Sequence, residues 1–328
     1  MKLKVAAPAP DYPFEFKVAP KSGNDVNGLG VHEKIRPHQV FHNTGRGAGR
    51  KQIDWAALDT FFNMSKPWSM FSENMKTWWE RRNATGPVIG DPIEVTDPQA
   101  MADDIKAKAL EFGSDLAGIT LYLENIQYEG RSWPYKYAIC IGHSMRIDDV
   151  EHTPSMRSSA EIVKAYRRGS KSANKLAKYI RSKGWQAEAF GNGEDIMMIP
   201  MAIKASLGEL GKHGSMISRD HGPNFRISLI LTDMPMALDE PVDIGVDDFC
   251  INCQVCSNAC PPDAISDKKQ MVRGFEKWYV DFDKCVPYFA LTHGCGICLA
   301  ICPWTGPGRG SVISDKMLKR RETETLNS

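Results

Sequence analysis

Apolar positions in this chain follow two rhythms, a helical one and short unbroken blocks. From Pro98 to Phe112, the residues Met101, Ile105, Ala109, Leu110 and Phe112 fall at helical spacing, with Thr96 or Asp97 placed to cap the start. A longer stripe of Ile162, Ala165, Tyr166, Ala173, Leu176, Ala177 and Ile180 predicts a helix over about 158–183, stopped by Gly184 as a C′ glycine. Short apolar blocks predict strands at 116–123, 137–142, 185–190 and 225–232. Met197, Met198, Met201 and Ile203 predict a helix over 195–207. Upstream, Ile53, Ala57, Phe61 and Phe62, then Met70, Met75, Trp78 and Trp79, form two further helical stripes, expected to pack on the main body. Residues 1–52 are rich in Pro, Gly, Asn and His and lack a period, which predicts an extended arm. Helices and strands alternate to about residue 240 and then give way to a cysteine-dense stretch. That order predicts an α+β core with an appended module.

Composition narrows the function classes. The chain has 328 residues and a net charge of +1, enough length for a buried core and no basic excess that would point to nucleic acid. No apolar run approaches the roughly 20 residues of a membrane span. Met1–Pro20 holds neither a charged-then-apolar leader nor a twin-arginine pair, so the chain as written is expected in the cytoplasm. A twin-arginine leader already removed would instead put it on the outer face of the cytoplasmic membrane, with a membrane-anchor partner. No glycine fingerprint of a dinucleotide fold occurs in a strand–turn–helix context; Gly45–Arg50 lacks the spacing and the strand. The haem-attachment motif Cys-x-x-Cys-His is also absent.

All but Cys140 of the nine cysteines lie between Cys250 and Cys302. Cys250, Cys253, Cys256 and Cys260-Pro261 form one run; Cys285, Cys295, Cys298 and Cys302-Pro303 form a second. Two runs closed by Cys-Pro match the bacterial two-cluster ferredoxin pattern, in which the fourth cysteine of each run serves the other cluster. Cluster 1 would take Cys250, Cys253, Cys256 and Cys302. Cluster 2 would take Cys260, Cys285, Cys295 and Cys298. Zinc usually takes isolated Cys-x-x-Cys pairs that close one tetrahedron, and disulfides fit poorly beside a nearly cysteine-free remainder. The second run departs from the pattern, because Val286–Gly294 separates Cys285 from Cys295. Gly294 and Gly296 suit the close backbone approach that a cluster needs. Cys140, in an apolar block, reads as a packing residue.

The segment Gly208–Arg226 resembles the signature of the cobalamin-dependent reductive dehalogenases. So do Ala165-Tyr166, Leu176-Ala177 through Gly184-Trp185, Gly191-Asn192, Asp248-Phe249-Cys250 and Cys302-Pro303-Trp304. The resemblance covers about residues 135–305. It implies a nitroreductase-like core that binds a corrinoid base-off, over residues 91–243. A two-cluster [4Fe–4S] ferredoxin-like domain would follow over 244–310, with an arm and helical segment over 1–90 and a tail over 311–328. It implies replacement of a carbon-bound halogen of a small organohalide by hydrogen, with electrons from an external low-potential donor and no nucleic-acid partner. It places Tyr166 as proton donor, Arg226 as the basic residue that keeps its phenolate available, with Lys212 as fallback, and Asn192 beside them in the pocket. Unperturbed tyrosine titrates near ~10, and a cationic neighbour lowers that value.

Two other functions stay open on sequence grounds. An epoxyqueuosine reductase-like enzyme of tRNA modification shares the corrinoid and clusters, but calls for a basic nucleic-acid surface that a net charge of +1 does not suggest. A ferredoxin-type electron carrier without corrinoid would hold iron and no cobalt.

Overall fold

The computed structural model describes residues 22–38, 68–191 and 196–326. Its helices are α1 (Gly23–Asn27), α2 (Trp68–Glu80), α3 (Pro98–Glu111), α4 (Ile147–Val150), α5 (Met156–Ser182), α6 (Ile199–Lys204), α7 (Val246–Asn252), α8 (Val255–Asn258), α9 (Phe282–Leu291), α10 (Ile297–Ala300) and α11 (Arg309–Leu326). Its strands are β1 (Leu116–Leu121), β2 (Tyr137–Ser144), β3 (Ala187–Phe190), β4 (Glu209–Leu210), β5 (Met216–Ile217), β6 (Phe225–Thr232), β7 (Gln270–Val272) and β8 (Phe275–Lys277). Among these helices, none is long and apolar enough to cross a membrane.

The core is a four-stranded sheet of order β1-β2-β6-β3, antiparallel throughout. Successive side chains of a strand point to opposite faces. One face carries Ile119, Ile139, Ile141 and Ile230, packed under Ile105 and Ala109 of α3 and Leu176, Ala177 and Ile180 of α5. The other carries Cys140, Leu229 and Leu231, packed against Met201 and Ala202 of α6. Both faces of β2 and β6 are buried, which explains why they read as unbroken apolar blocks rather than as alternation. Helices on an antiparallel sheet are the α+β arrangement expected. Cys140 is fully buried and free, a packing residue as read.

α5 starts in a capping box between Ser155 and Ser158. It stops where Gly184 turns left-handed at φ 83°, and a Cβ there would lie 2.1 Å from the Asp91 carbonyl oxygen. α3 begins at Pro98 behind Asp97, whose side chain accepts from the amides of Gln99 and Ala100.

Four expectations need correction. Leu110 is 52% exposed; it sits one residue past buried Ala109, about 100° round the helix, and Ala102 takes the inward place instead. The helix expected over 195–207 is only α6, with Pro200 in its first turn and Met197 and Met198 ahead of it. The strand expected from Trp185 begins at Ala187, because Trp185 turns aside and donates its indole N–H to the Ile93 carbonyl. The aromatic stripe of α2 does not pack inward: Met75, Trp78 and Trp79 are exposed. That helix docks instead through polar groups, Glu73 on Arg167 and Glu80 accepting from Asn174. The stripe Ile53–Phe62 lies outside the described residues.

Residues 22–38 run along the body as a strap that begins with the short helix α1. Ser22, Gly23 and Asn24 bond to Asp283 and Asp281 around the start of α9, and Leu29 bridges to Val272 of β7. Further on, Arg36 donates to the carbonyls of Gln127, Tyr128 and Arg131 beyond β1.

Candidate active site and the cysteine module

The eight clustered cysteines sit on short helices and turns. α7 starts after Gly245 at φ 78° and delivers Cys250, with Cys253 as its C-cap and Cys256 on α8. Cys285 lies on α9 and Cys298 on α10. Between them His293, Gly294, Cys295 and Gly296 all have positive φ, from 30° to 97°. Four left-handed residues in succession hold the backbone tightly around Cys295, and the two glycines do so without a Cβ penalty.

The thiols sort into two sets by the charges they sense. Cys302 senses Cys250, Cys256 and Cys253. Cys285 senses Cys295 and Cys260, and Cys298 senses Cys295 and Cys285 most. Cys298 next senses Cys256 of the first set, ahead of Cys260, so the two sets adjoin closely there. Burial pushes Cys250 and Cys285 up to about 12 and drives Cys298 and Cys302 upward too. Thiols in such surroundings stay protonated unless a metal takes them as thiolates. All are free of disulfides. Among the described residues, no three His, Cys, Asp or Glu side chains close on a single ion. A cleft of about 780 Å³, bordered by Cys260, Asp263, Asp281 and Lys284, brings solvent to the second set.

Tyr166 stands in the third turn of α5, and Arg226 is the second residue of β6, on the sheet face that α5 covers. The Arg226 guanidinium carbon lies 5.6 Å from the centre of the Tyr166 ring, within cation–π range. Arg226 pairs across the strands with His143 of β2. His143 is 1% exposed, and burial holds its imidazole neutral by lowering its pKa to about 4. Both His143 ring nitrogens, Arg226 Nε and Asn224 Oδ1 are buried without a hydrogen-bond partner. These orphaned groups cluster at the end of the β2–β6 ladder that carries Arg226 over Tyr166, and a polar ligand seated there would satisfy them. Strand alternation places His143 on the α5 face with Ile141 and Ile139. That signal was in the sequence, although no motif marks the residue.

Two of the expected site residues are not found with this pair. Asn192 lies outside the described residues. Lys212 sits elsewhere: the β4–β5 hairpin turns its tip toward the cysteines, where Lys212 Nζ donates to the Cys253 carbonyl at 2.8 Å. It cannot be the basic partner of Tyr166, and the fallback assignment falls.

The cysteine module meets the core at the start of α5. Thr153 donates to the Cys295 carbonyl and Ser159 to the His293 carbonyl. Ala300 of α10 packs on Ala165. Gly222 and Gly310 allow backbones to touch, since a Cβ would come within 2.3 Å of Trp304 O and 2.2 Å of Arg219 O respectively. The loop of Cys295 thus rests two helical turns from Tyr166, about 10 Å along the axis at 1.5 Å per residue.

Residues 249–305 match the family model of the 4Fe-4S dicluster domain. The tetrachloroethene reductive dehalogenase of Desulfitobacterium hafniense is 36% identical over 168 residues, which cover 47% of this chain and 30% of that protein. The epoxyqueuosine reductase of Salmonella typhimurium is 30% identical over 144 residues, 39% of this chain and 33% of that protein. The matched part therefore spans about a third of the length of these curated relatives. A solved reductive dehalogenase, whose structure suggests a mechanism for B12-dependent dehalogenation, superposes with a TM-score of 0.69 at 26% identity, covering 75% of this chain and 39% of that one. In sequence and in fold, the chain is a relative of the reductive dehalogenases, with epoxyqueuosine reductase as a more distant relation.

Proposed function

We propose that this chain carries out reductive dehalogenation of a small organohalide. One observation carries the reading: a tyrosine under an arginine, on α5, two turns from the loop that holds Cys295. In this reading residues 91–243 form a nitroreductase-like core, residues 244–310 the two-cluster domain, 1–90 the arm and 311–328 the tail. Cys250, Cys253, Cys256 and Cys302 hold cluster 1; Cys260, Cys285, Cys295 and Cys298 hold cluster 2. Both thiol sets fit that assignment.

A corrinoid bound base-off beside Tyr166 would supply the low-valent cobalt that cleaves the carbon–halogen bond. The overall change takes two electrons and one proton and releases halide. Electrons come singly from an external low-potential donor by way of the clusters. The proton comes from the Tyr166 hydroxyl, which becomes a phenolate. The Arg226 guanidinium, already over that ring, stabilises the phenolate until the proton is replaced. The resemblance assigns Asn192 to the same pocket. Tyr166 and Arg226 are both half-buried, between the apolar packing under α5 and the open side of the sheet, so a substrate can reach the hydroxyl while the arginine stays over the ring.

The test is anaerobic purification with cobalamin supplied, followed by metal analysis and a halide-release screen of aryl and alkenyl halides. About one cobalt with about eight irons per chain, and halide release that needs both, supports the reading. Full iron with no cobalt under those conditions would replace it by the electron-carrier function.

A further inference from the structure

Lys212 is 1% exposed, one of the largest fully buried side chains in the protein. A buried ammonium normally has a carboxylate partner. Among the described residues none lies within ion-pair distance of Lys212. Its Nζ donates to the Cys253 carbonyl at 2.8 Å and lies 4.9 Å over the Trp278 ring. Its own backbone amide donates toward the Cys250 sulfur, and its charge is felt by Cys250 and Cys256. The placement is fixed from both ends. The hairpin is closed by Gly211 N–H to Ser215 O at 2.9 Å, and at its base Glu209 accepts from the amides of Ile244 and Val246, at the start of the helix that carries Cys250. The ammonium is thus held against the backbone of Cys253, where its charge reaches the thiols that would hold cluster 1.

We propose that Lys212 is the built-in counter-ion of cluster 1 and sets its reduction potential above that of the same cluster without it. Four thiolates around a four-iron cube make a dianion when the cube is oxidised and a trianion after it accepts one electron. A fixed positive charge stabilises the trianion more than the dianion, so it favours reduction. The burial of Lys212 keeps water and salt from screening that preference. Lys212 touches no substrate; it acts through cluster 1 as a positioning charge. The inference rests on the iron–sulfur content and on the ligand set proposed for cluster 1. It is independent of which organohalide, if any, is turned over.

The experiment is an EPR-monitored titration of both clusters with dithionite, in the full chain purified anaerobically. Wild type is compared with Lys212→Gln, Lys212→Met and Lys212→Arg, with iron counted in each. In the Gln and Met variants one cluster should become at least tenfold harder to reduce, 59 mV for one electron, while the other stays put; Arg should follow wild type. Loss of one cluster in Gln and Met, with both retained in Arg, also supports the proposal, because the charge then holds the cluster. Both clusters present at wild-type potentials in Gln and Met overturns it. So does equal loss of iron in all three variants, which would make Lys212 a packing residue. These shifts in the variants, with a wild type that releases no halide, separate this inference from the proposed function.

Discussion

Tyr166 and Arg226 belong to different elements, and only the fold sets one ring beneath the other's charge. Replacing Tyr166 by Phe keeps the shape and removes the proton, so turnover should fall by about 10²–10⁴ with cobalt and iron content unchanged, as general acid catalysis of this kind contributes. Halide release at the wild-type rate would remove Tyr166 as donor. His143 gives a pH signature of a different kind. Its folded pKa is lowered to about 4 by burial, opposed by Asp115 and aided by Arg168. Between about 6.5 and 4 the unfolded chain therefore binds a proton that the folded one refuses. Stability should be full above pH 6.5 and decline by roughly 1.4 kcal/mol for each unit down to about 4. Urea midpoints measured from pH 7 to 4 should fall less steeply in His143→Gln than in wild type; parallel curves would show that another group sets the slope. The sequence pointed to Tyr166 and Arg226 only through a resemblance. It misplaced Lys212, because nothing in a linear motif says which way a hairpin tip turns.

Helix ends and buried strands were the most readable elements, because each has a local physical cause. Gly184 is an example: the chain must turn left-handed there and pass the Asp91 carbonyl at a distance no Cβ allows. Gly184→Ala should destabilise the protein by about 2 kcal/mol or more. Gly130→Ala serves as its control, since Gly130 has a similar φ of 73° with nothing near its Cβ position, and should cost only about 1 kcal/mol. Denaturant midpoints of the pair separate the contact from the backbone strain; equal losses would show that the close approach adds nothing. Periodicity misled at α2, whose apolar stripe has the right spacing but faces outward, because Glu73 and Glu80, two turns apart on one face, bind that face to α5. Spacing reports that a face exists, not where it points.

At the scale of the whole molecule, the cysteine spacing gave the module, and tertiary packing gave its attachment to the core. The close approaches at Gly222 and Gly310 join residues far apart in the chain and leave no local trace. The ligand sets are tested by Cys285→Ser. It should lose about half of the iron and one of the two EPR signals, leaving the other cluster reducible. Full iron in that variant would undo the assignment of Cys285, and loss of all iron would show that the two clusters assemble as one.

The strap of residues 22–38 bears on how such a protein is made. Residues 22–24 fasten α9, the helix of Cys285, about 260 residues further along the chain. Arg36 can dock on the carbonyls beyond β1 before α9 exists, but Ser22, Gly23 and Asn24 have no hold on the module until α9 has formed. Closing so long a loop adds little entropic cost beyond a shorter one, since the cost grows only with the logarithm of length. The strap thus ties the segment that carries Cys285 to a distant part of the chain, so that the module cannot close fully until both have been made.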